Sequence, residues 1–230
     1  MINSVERYVY KFIIENNITC LPVQFDTLVS AAENLGFKVR FYDESKEALK
    51  QLGLTEMTRI YNAMTVDKPP LRYIFLDDQL PLERRRFSLG HEIGHIVLTH
   101  TNYRILGKSP TGNKEAENIQ EQEADSFSDY LLAPICVIKA AGINSVRAIE
   151  RKAALPTSEA EHIFISINDH DGNYDSLERS VLKQFEISIE PAPPSKPRHL
   201  PLYWYLLVIV SVSLIGGGIY GLWELIHMFL

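Results

Sequence analysis

Arg86-Phe87-Ser88-Leu89-Gly90-His91-Glu92-Ile93-Gly94-His95-Ile96-Val97-Leu98 is the stretch on which the reading of this chain turns. Apolar Phe87, Leu89, Ile93, Ile96, Val97 and Leu98 recur at helical spacing through the two histidines, and Pro81 suits the first turn of the same helix. Four residues advance a helix by about 400° and about 6 Å, so His91 and His95 project from one face, one turn apart, where a single tetrahedral ion can be held. Glu92 lies about 100° further round and flanks that position without being a ligand. It is placed to take a proton from a metal-bound water, the division of labour in a zinc hydrolase. Gly90 and Gly94 each cost about 1 kcal/mol relative to alanine in a helix, so their presence implies that something packs closely against this face. Upstream, Arg72-Tyr-Ile-Phe-Leu-Asp77 reads as a short strand.

A catalytic zinc takes three protein ligands and leaves a fourth position for water. A third histidine in continuation of the same motif would require glycine at position 98 and histidine at 101, where the chain has Leu98 and Thr101. The third ligand is therefore distant. The next helix, expected over about 113–132, carries Glu115, Glu117, Glu121, Glu123 and Asp125, and Leu131-Leu132-Ala133-Pro134 ends it. Projection at about 100° per residue puts Ile119, Ala124, Phe127, Tyr130 and Leu131 on one apolar stripe with Glu123 inside it, so burial favours Glu123. Glu121 lies at the stripe's border near Ala124 and Ser128, small residues that can admit another helix. Asp125, one turn on, can accept the second ring N–H of a metal-bound histidine. Glu115 and Glu117 read as a solvated face.

The run Arg86 to His95, followed by Glu121-x-x-Ala124-Asp125-x-Phe127-Ser128-x-x-Leu131-Leu132-Ala133-Pro134, resembles the ImmA/IrrE family of metallo-endopeptidases. Leu21-Pro22-Val23 and Leu35-Gly36-Phe37-Lys38-Val39 are similar to that family's amino-terminal segment, so the resemblance covers roughly residues 18–155. It implies an α+β, zincin-like fold, mostly helical with a small sheet. It implies one Zn2+ per chain held by His91, His95 and Glu121, with Glu92 as the base that activates the zinc-bound water and Asp125 in support. The implied substrate is a regulatory protein such as a helix-turn-helix repressor. His100, Tyr103 and Tyr130 are candidate donors to the oxyanion, and the strand 72–77 can hold an extended substrate by strand addition.

Composition bounds the alternatives. With 230 residues, 46% hydrophobic and 23% charged, the chain can hold one ordinary core and an appendage. A net charge of −6 and pI ≈ 5.7 argue against direct nucleic-acid binding, and Arg84-Arg85-Arg86 reads as the exposed start of a helix. Two cysteines, Cys20 and Cys136, without CxxC spacing, speak against a disulfide framework and suit a reducing compartment.

The first 18 residues read as an amphipathic helix built on Val5, Tyr8, Val9, Phe12 and Ile13 rather than a secretory signal. Pro191-Ala-Pro-Pro-Ser-Lys-Pro-Arg198 is a stiff linker, and 200–223 then holds no charged residue. As a helix, 202–223 would span about 33 Å against a hydrocarbon core of about 30 Å, with Tyr203, Trp204, Tyr205, Tyr220 and Trp223 near its ends. Lys196 and Arg198 precede this segment and no Lys or Arg follows it, which places the catalytic domain in the cytoplasm. The expected organisation is a peptidase domain over 1–190, a linker over 191–199 and a single-pass transmembrane tail anchor over 200–230 in the lipid bilayer. The anchor makes a membrane-associated regulator an equal candidate for substrate. The reading from another class is a membrane-anchored zinc-containing sensor or interaction module without proteolytic activity.

Residues 142–190 carry weaker signals. Helices are expected over 144–154 and 158–163 and a short strand over 185–189. Asp169, Asp171, Gly172, Asn173, Asp175 and Glu178 match positions of a calcium loop whose first position would be Ile167, and an Asp/Asn/Gly-rich turn is the simpler reading.

Overall fold

A computed structural model describes residues 4–100 and 114–187 of the chain. By contacts the chain divides into Met1–Ile189 and Glu190–Leu230, and the fold below is that of the first unit. The expected linker and membrane segment, 191–230, lie outside the described residues. Among those that are described, no helix is long and apolar enough to cross a membrane.

The chain opens with α1 (Ser4–Glu15) and α2 (Phe25–Asn34), then β1 (Lys38–Phe41), α3 (Lys46–Gln51), β2 (Ala63–Lys68) and β3 (Leu71–Leu76). α4 (Leu82–Val97) and α5 (Lys114–Leu132) carry the motif residues, and α6 (Ile135–Ala140), α7 (Val146–Ala153), α8 (Thr157–Asp169) and α9 (Ser176–Gln184) complete the described fold. This is an α+β arrangement, mostly helical around one three-stranded sheet.

β3 is the central strand, parallel to β1 (Val39 beside Ile74) and antiparallel to β2 (Thr65 beside Ile74). Strand alternation divides the sheet's side chains between two cores. Val39, Ile74 and Leu76 join the large helical core with Leu89, Ile93, Phe127 and Leu131. Met64, Val66 and Phe75 turn the other way onto Leu49 and Leu54. Thr65, between Met64 and Val66, is thereby directed to the helical side, where it is buried.

Several expectations change. In α1, Tyr10 rather than Tyr8 is buried, because its hydroxyl donates to Glu6 Oε1 (2.6 Å) and accepts from the Cys136 amide (3.2 Å), satisfying its polar end inside the core. The arginine run is not a uniformly exposed helix start. Arg84 is exposed and pairs with Glu159 (2.8 Å), whereas Arg86 is buried, its guanidinium donating to the carbonyls of Ala153 (2.8 Å) and Ala154 (3.0 Å). Those are the orphan acceptors at the end of α7, where positive charge also suits the helix dipole. Burial pulls the Arg86 pKa below its usual value.

The helix expected over 158–163 runs on to Asp169, and residues 185–187 form no strand. The calcium-loop residues serve other ends: Ile167 and Asp169 belong to α8, and Asp175 and Glu178 form a reciprocal capping box that starts α9. The two Glu178 oxygens take the Asp175 amide and His170 Nε2, each at 2.7 Å. On α5, Ile119 is 51% exposed, so the apolar stripe begins only at Ala124.

Candidate active site

The glycines of α4 are explained by α5. A Cβ at position 90 would stand 2.6 Å from Ser128 Oγ, and one at position 94 would stand 3.0 Å from Phe127 Cβ and 3.2 Å from its ring carbons. Two helices that meet over missing side chains approach closely enough for short carboxylates on one to reach imidazoles on the other. Ser128 secures the crossing by donating to the Phe87 carbonyl (2.9 Å). Phe127 fills the layer beneath, edge-on to Phe12 with centroids 5.7 Å apart.

Across this notch His91, His95 and Glu121 converge, one donor atom from each within 4.8 Å of the others. Glu121 Oε2 lies 3.3 Å from His91 Nε2 and 3.6 Å from His95 Nε2, and the two Nε2 atoms are 2.9 Å apart. Asp125, one turn beyond Glu121 on α5, places Oδ1 2.8 Å from His91 Nδ1. A carboxylate accepts only, so His91 donates from Nδ1, the arrangement that leaves Nε2 as the ligand atom for a metal. His95 is buried, and its Nδ1 faces His100 Nδ1 at 3.3 Å.

Two imidazole nitrogens and a carboxylate oxygen thus face one point. Zn–N and Zn–O bonds of about 2.0–2.2 Å in a tetrahedron set donor–donor edges of about 3.3–3.6 Å; the two separations from Glu121 match that range, and the two Nε2 atoms stand closer together than it. The donor set suits a divalent cation such as zinc without specifying which. Glu121 is 41% exposed, so the centre opens to solvent on its α5 side.

Glu92 is buried, and its carboxylate meets β2 of the sheet. Thr65 on β2 donates its hydroxyl to Glu92 Oε2 at 2.5 Å, a short bond of the kind made to a charged acceptor. Tyr42 is nearby; burial first, then the carboxylates of Glu92 and Asp77, raise its pKa, and its hydroxyl donates to the Tyr61 carbonyl (2.9 Å). The sequence reading overlooked β2 and with it Thr65. The available signals were the alternation Met64-Thr65-Val66 and the Pro69-Pro70 turn that follows.

Glu123, favoured by burial in sequence, does not join the triad: its Oε2 lies 3.0 Å from His100 Nε2. Glu115 is exposed and Glu117 half-buried. Of the oxyanion candidates, His100 is engaged by His95 and Glu123, and Tyr130 lines a cavity of about 450 Å3 with Glu6, Arg7 and His170, about two and a half turns along α5 from Glu121 and on the opposite face. Tyr103 lies outside the described residues. The strand expected over 72–77 is central, with β1 on one side and β2 on the other, so it has no free edge for strand addition.

Deeper in α5, Asp129 is buried with Oδ1 unpartnered, and its pKa is pushed up to about 8, by burial first and then by Glu159 and Asp125.

A paired-histidine helix crossed by a glutamate-bearing helix, with a second glutamate held beside the pair, is the architecture of the HExxH metallopeptidases. The IrrE N-terminal-like domain of the M78 peptidases matches residues 32–158, and the chain belongs to that family. The match takes in all of α4 and α5 and starts after Leu21-Pro22-Val23. No curated protein matches the chain.

Proposed function

We propose that the chain is a zinc-dependent endopeptidase that hydrolyses a regulatory protein, with His91, His95 and Glu121 holding the ion and Glu92 as the catalytic base. The observation that carries this reading is the convergence of two imidazole nitrogens and a carboxylate oxygen, all within 4.8 Å of one another, next to a buried glutamate outside that set. Zinc bound there supplies Lewis acidity, which acidifies a water and polarises the scissile carbonyl. Glu92 accepts the proton of the attacking water and delivers it to the leaving amine, and Thr65 holds the carboxylate in place for both transfers. Asp125 keeps His91 in the tautomer that offers Nε2. Substrate lies extended along β2, which is an edge strand among the described residues and carries Thr65 to the site.

The uncharged segment 200–223, preceded by Lys196 and Arg198, anchors the enzyme to a membrane with its catalytic domain in the cytoplasm. Its substrates are helix-turn-helix repressors or membrane-associated regulators. The test uses the full-length chain in detergent, wild type beside Glu92→Gln and Glu121→Ala, assayed for metal content and for cleavage of such proteins. Equimolar zinc in wild type and Glu92→Gln, reduced zinc in Glu121→Ala, and cleavage by wild type alone are expected. Wild type without metal under zinc-replete conditions overturns the reading, and bound zinc with no cleavage favours the sensor module.

A further inference from the structure

His91 and His95 are anchored differently. His91 meets a carboxylate directly, whereas His95 Nδ1 meets the ring of His100, and a carboxylate comes only behind that, with Glu123 Oε2 3.0 Å from His100 Nε2. Glu123 as a carboxylate accepts only, so His100 donates from Nε2; a neutral His100 ring would then offer Nδ1 as acceptor to His95 Nδ1–H, the tautomer that gives His95 a lone pair on Nε2, the atom that faces His91 and Glu121.

The backbone is shaped to make this contact. α4 ends in a Schellman motif: Thr99 N–H donates to the Ile96 carbonyl (3.1 Å) and His100 N–H to the His95 carbonyl (2.8 Å). The left-handed position at φ 62° is occupied by Thr99, a β-branched residue that rarely adopts it. That turn folds His100 back over the last turn of α4, its side chain 9% exposed and its ring centroid 5.4 Å from that of His95.

We propose that His100 and Glu123 are positioning residues of the metal centre, Glu123 orienting His100 and His100 orienting His95, so that His95 Nε2 is aimed at the ion. The proposal rests on the metallopeptidase reading above. It assigns Glu123, two residues from the ligand Glu121, a separate task on the same helix. α5 then sets the ligand geometry of both α4 histidines, of one through Asp125 and of the other through Glu123 and His100.

The test measures zinc affinity by chelator competition and the visible absorption of the Co2+-substituted protein, on the full-length chain carrying Glu92→Gln so that turnover does not intervene. His100→Leu is expected to weaken zinc binding by roughly 10- to 100-fold and to shift the cobalt bands, as loss of a histidine's supporting partner does. His100→Asn, whose carbonyl oxygen can accept from His95 Nδ1, is expected to restore most of the affinity, and Glu123→Gln to fall between the two. Zinc affinity and cobalt spectrum unchanged in folded His100→Leu overturn the proposal while leaving the peptidase reading intact. Should His100→Leu not fold, unchanged values in Glu123→Gln overturn it equally. Absence of metal binding in the Glu92→Gln parent removes both readings.

Discussion

Glu92 accepts a hydrogen bond from outside its own helix, from the hydroxyl of Thr65. A hydrogen bond to a charged group contributes about 1.5–3 kcal/mol. Thr65→Val is therefore expected to lower kcat by roughly 10- to 100-fold with zinc content unchanged, and Thr65→Ser to recover most of the rate. Steady-state kinetics beside metal analysis read both; an unaltered kcat in Thr65→Val would show that Glu92 needs no such partner. On the proposed reading, the contact of Asp125 with His91 Nδ1 bears on metal affinity rather than on proton transfer.

Among the elements, the crossing of α4 and α5 carries most of the consequence. Gly94→Ala brings a methyl to 3.0 Å from Phe127 Cβ, an atom next to the backbone that cannot swing aside. The helices must separate, at a cost of about 1–3 kcal/mol for overpacking. Because α5 carries Glu121, zinc affinity should fall together with the denaturation midpoint. Arg86→Met tests a contact remote from the centre: the Ala153 and Ala154 carbonyls lose their buried donor. A loss of about 2 kcal/mol or more is expected in urea denaturation, without change in zinc affinity. A parallel loss of zinc affinity in Arg86→Met would mean that the end of α7 is coupled to the metal centre.

For the whole molecule, metal and pH are the two levers on stability. Zinc at 100 times its Kd adds about 2.7 kcal/mol to the folded state, and a chelator should remove it, lowering Tm by roughly 5–10 °C for a domain of this size. Asp129 supplies the pH dependence. Its folded pKa of about 8 lies above the unfolded carboxylate value of about 4, so the folded state binds the extra proton between them. Its stabilising contribution is complete below about pH 4 and is lost as pH rises toward 8. Metal-free wild type should therefore lose stability relative to Asp129→Asn across that window, as read by urea denaturation at several pH values. Parallel pH profiles for the two proteins would show that Asp129 titrates normally in the fold.

What was legible in the sequence is what depends on a few neighbouring residues. The pairing of His91 with His95, the flanking place of Glu92 and the close approach at Gly90 and Gly94 follow from 3.6 residues per turn, and the resemblance to a known family pointed to Glu121. Asp175-x-x-Glu178 was equally local, yet the calcium-loop pattern overlapped it, and α9 went unread. Tertiary structure alone decided the rest. Glu121 rather than Glu123 faces the histidines because of the angle and depth at which α5 crosses α4, and a helical projection carries neither quantity. Thr65 reaches Glu92 because β2 is laid beside β3 in one register, and His100 returns to His95 because α4 stops in a left-handed turn at Thr99. Periodicity states which face of an element is apolar; which polar side chains meet is settled only when the elements pack, through contacts between residues far apart in the chain.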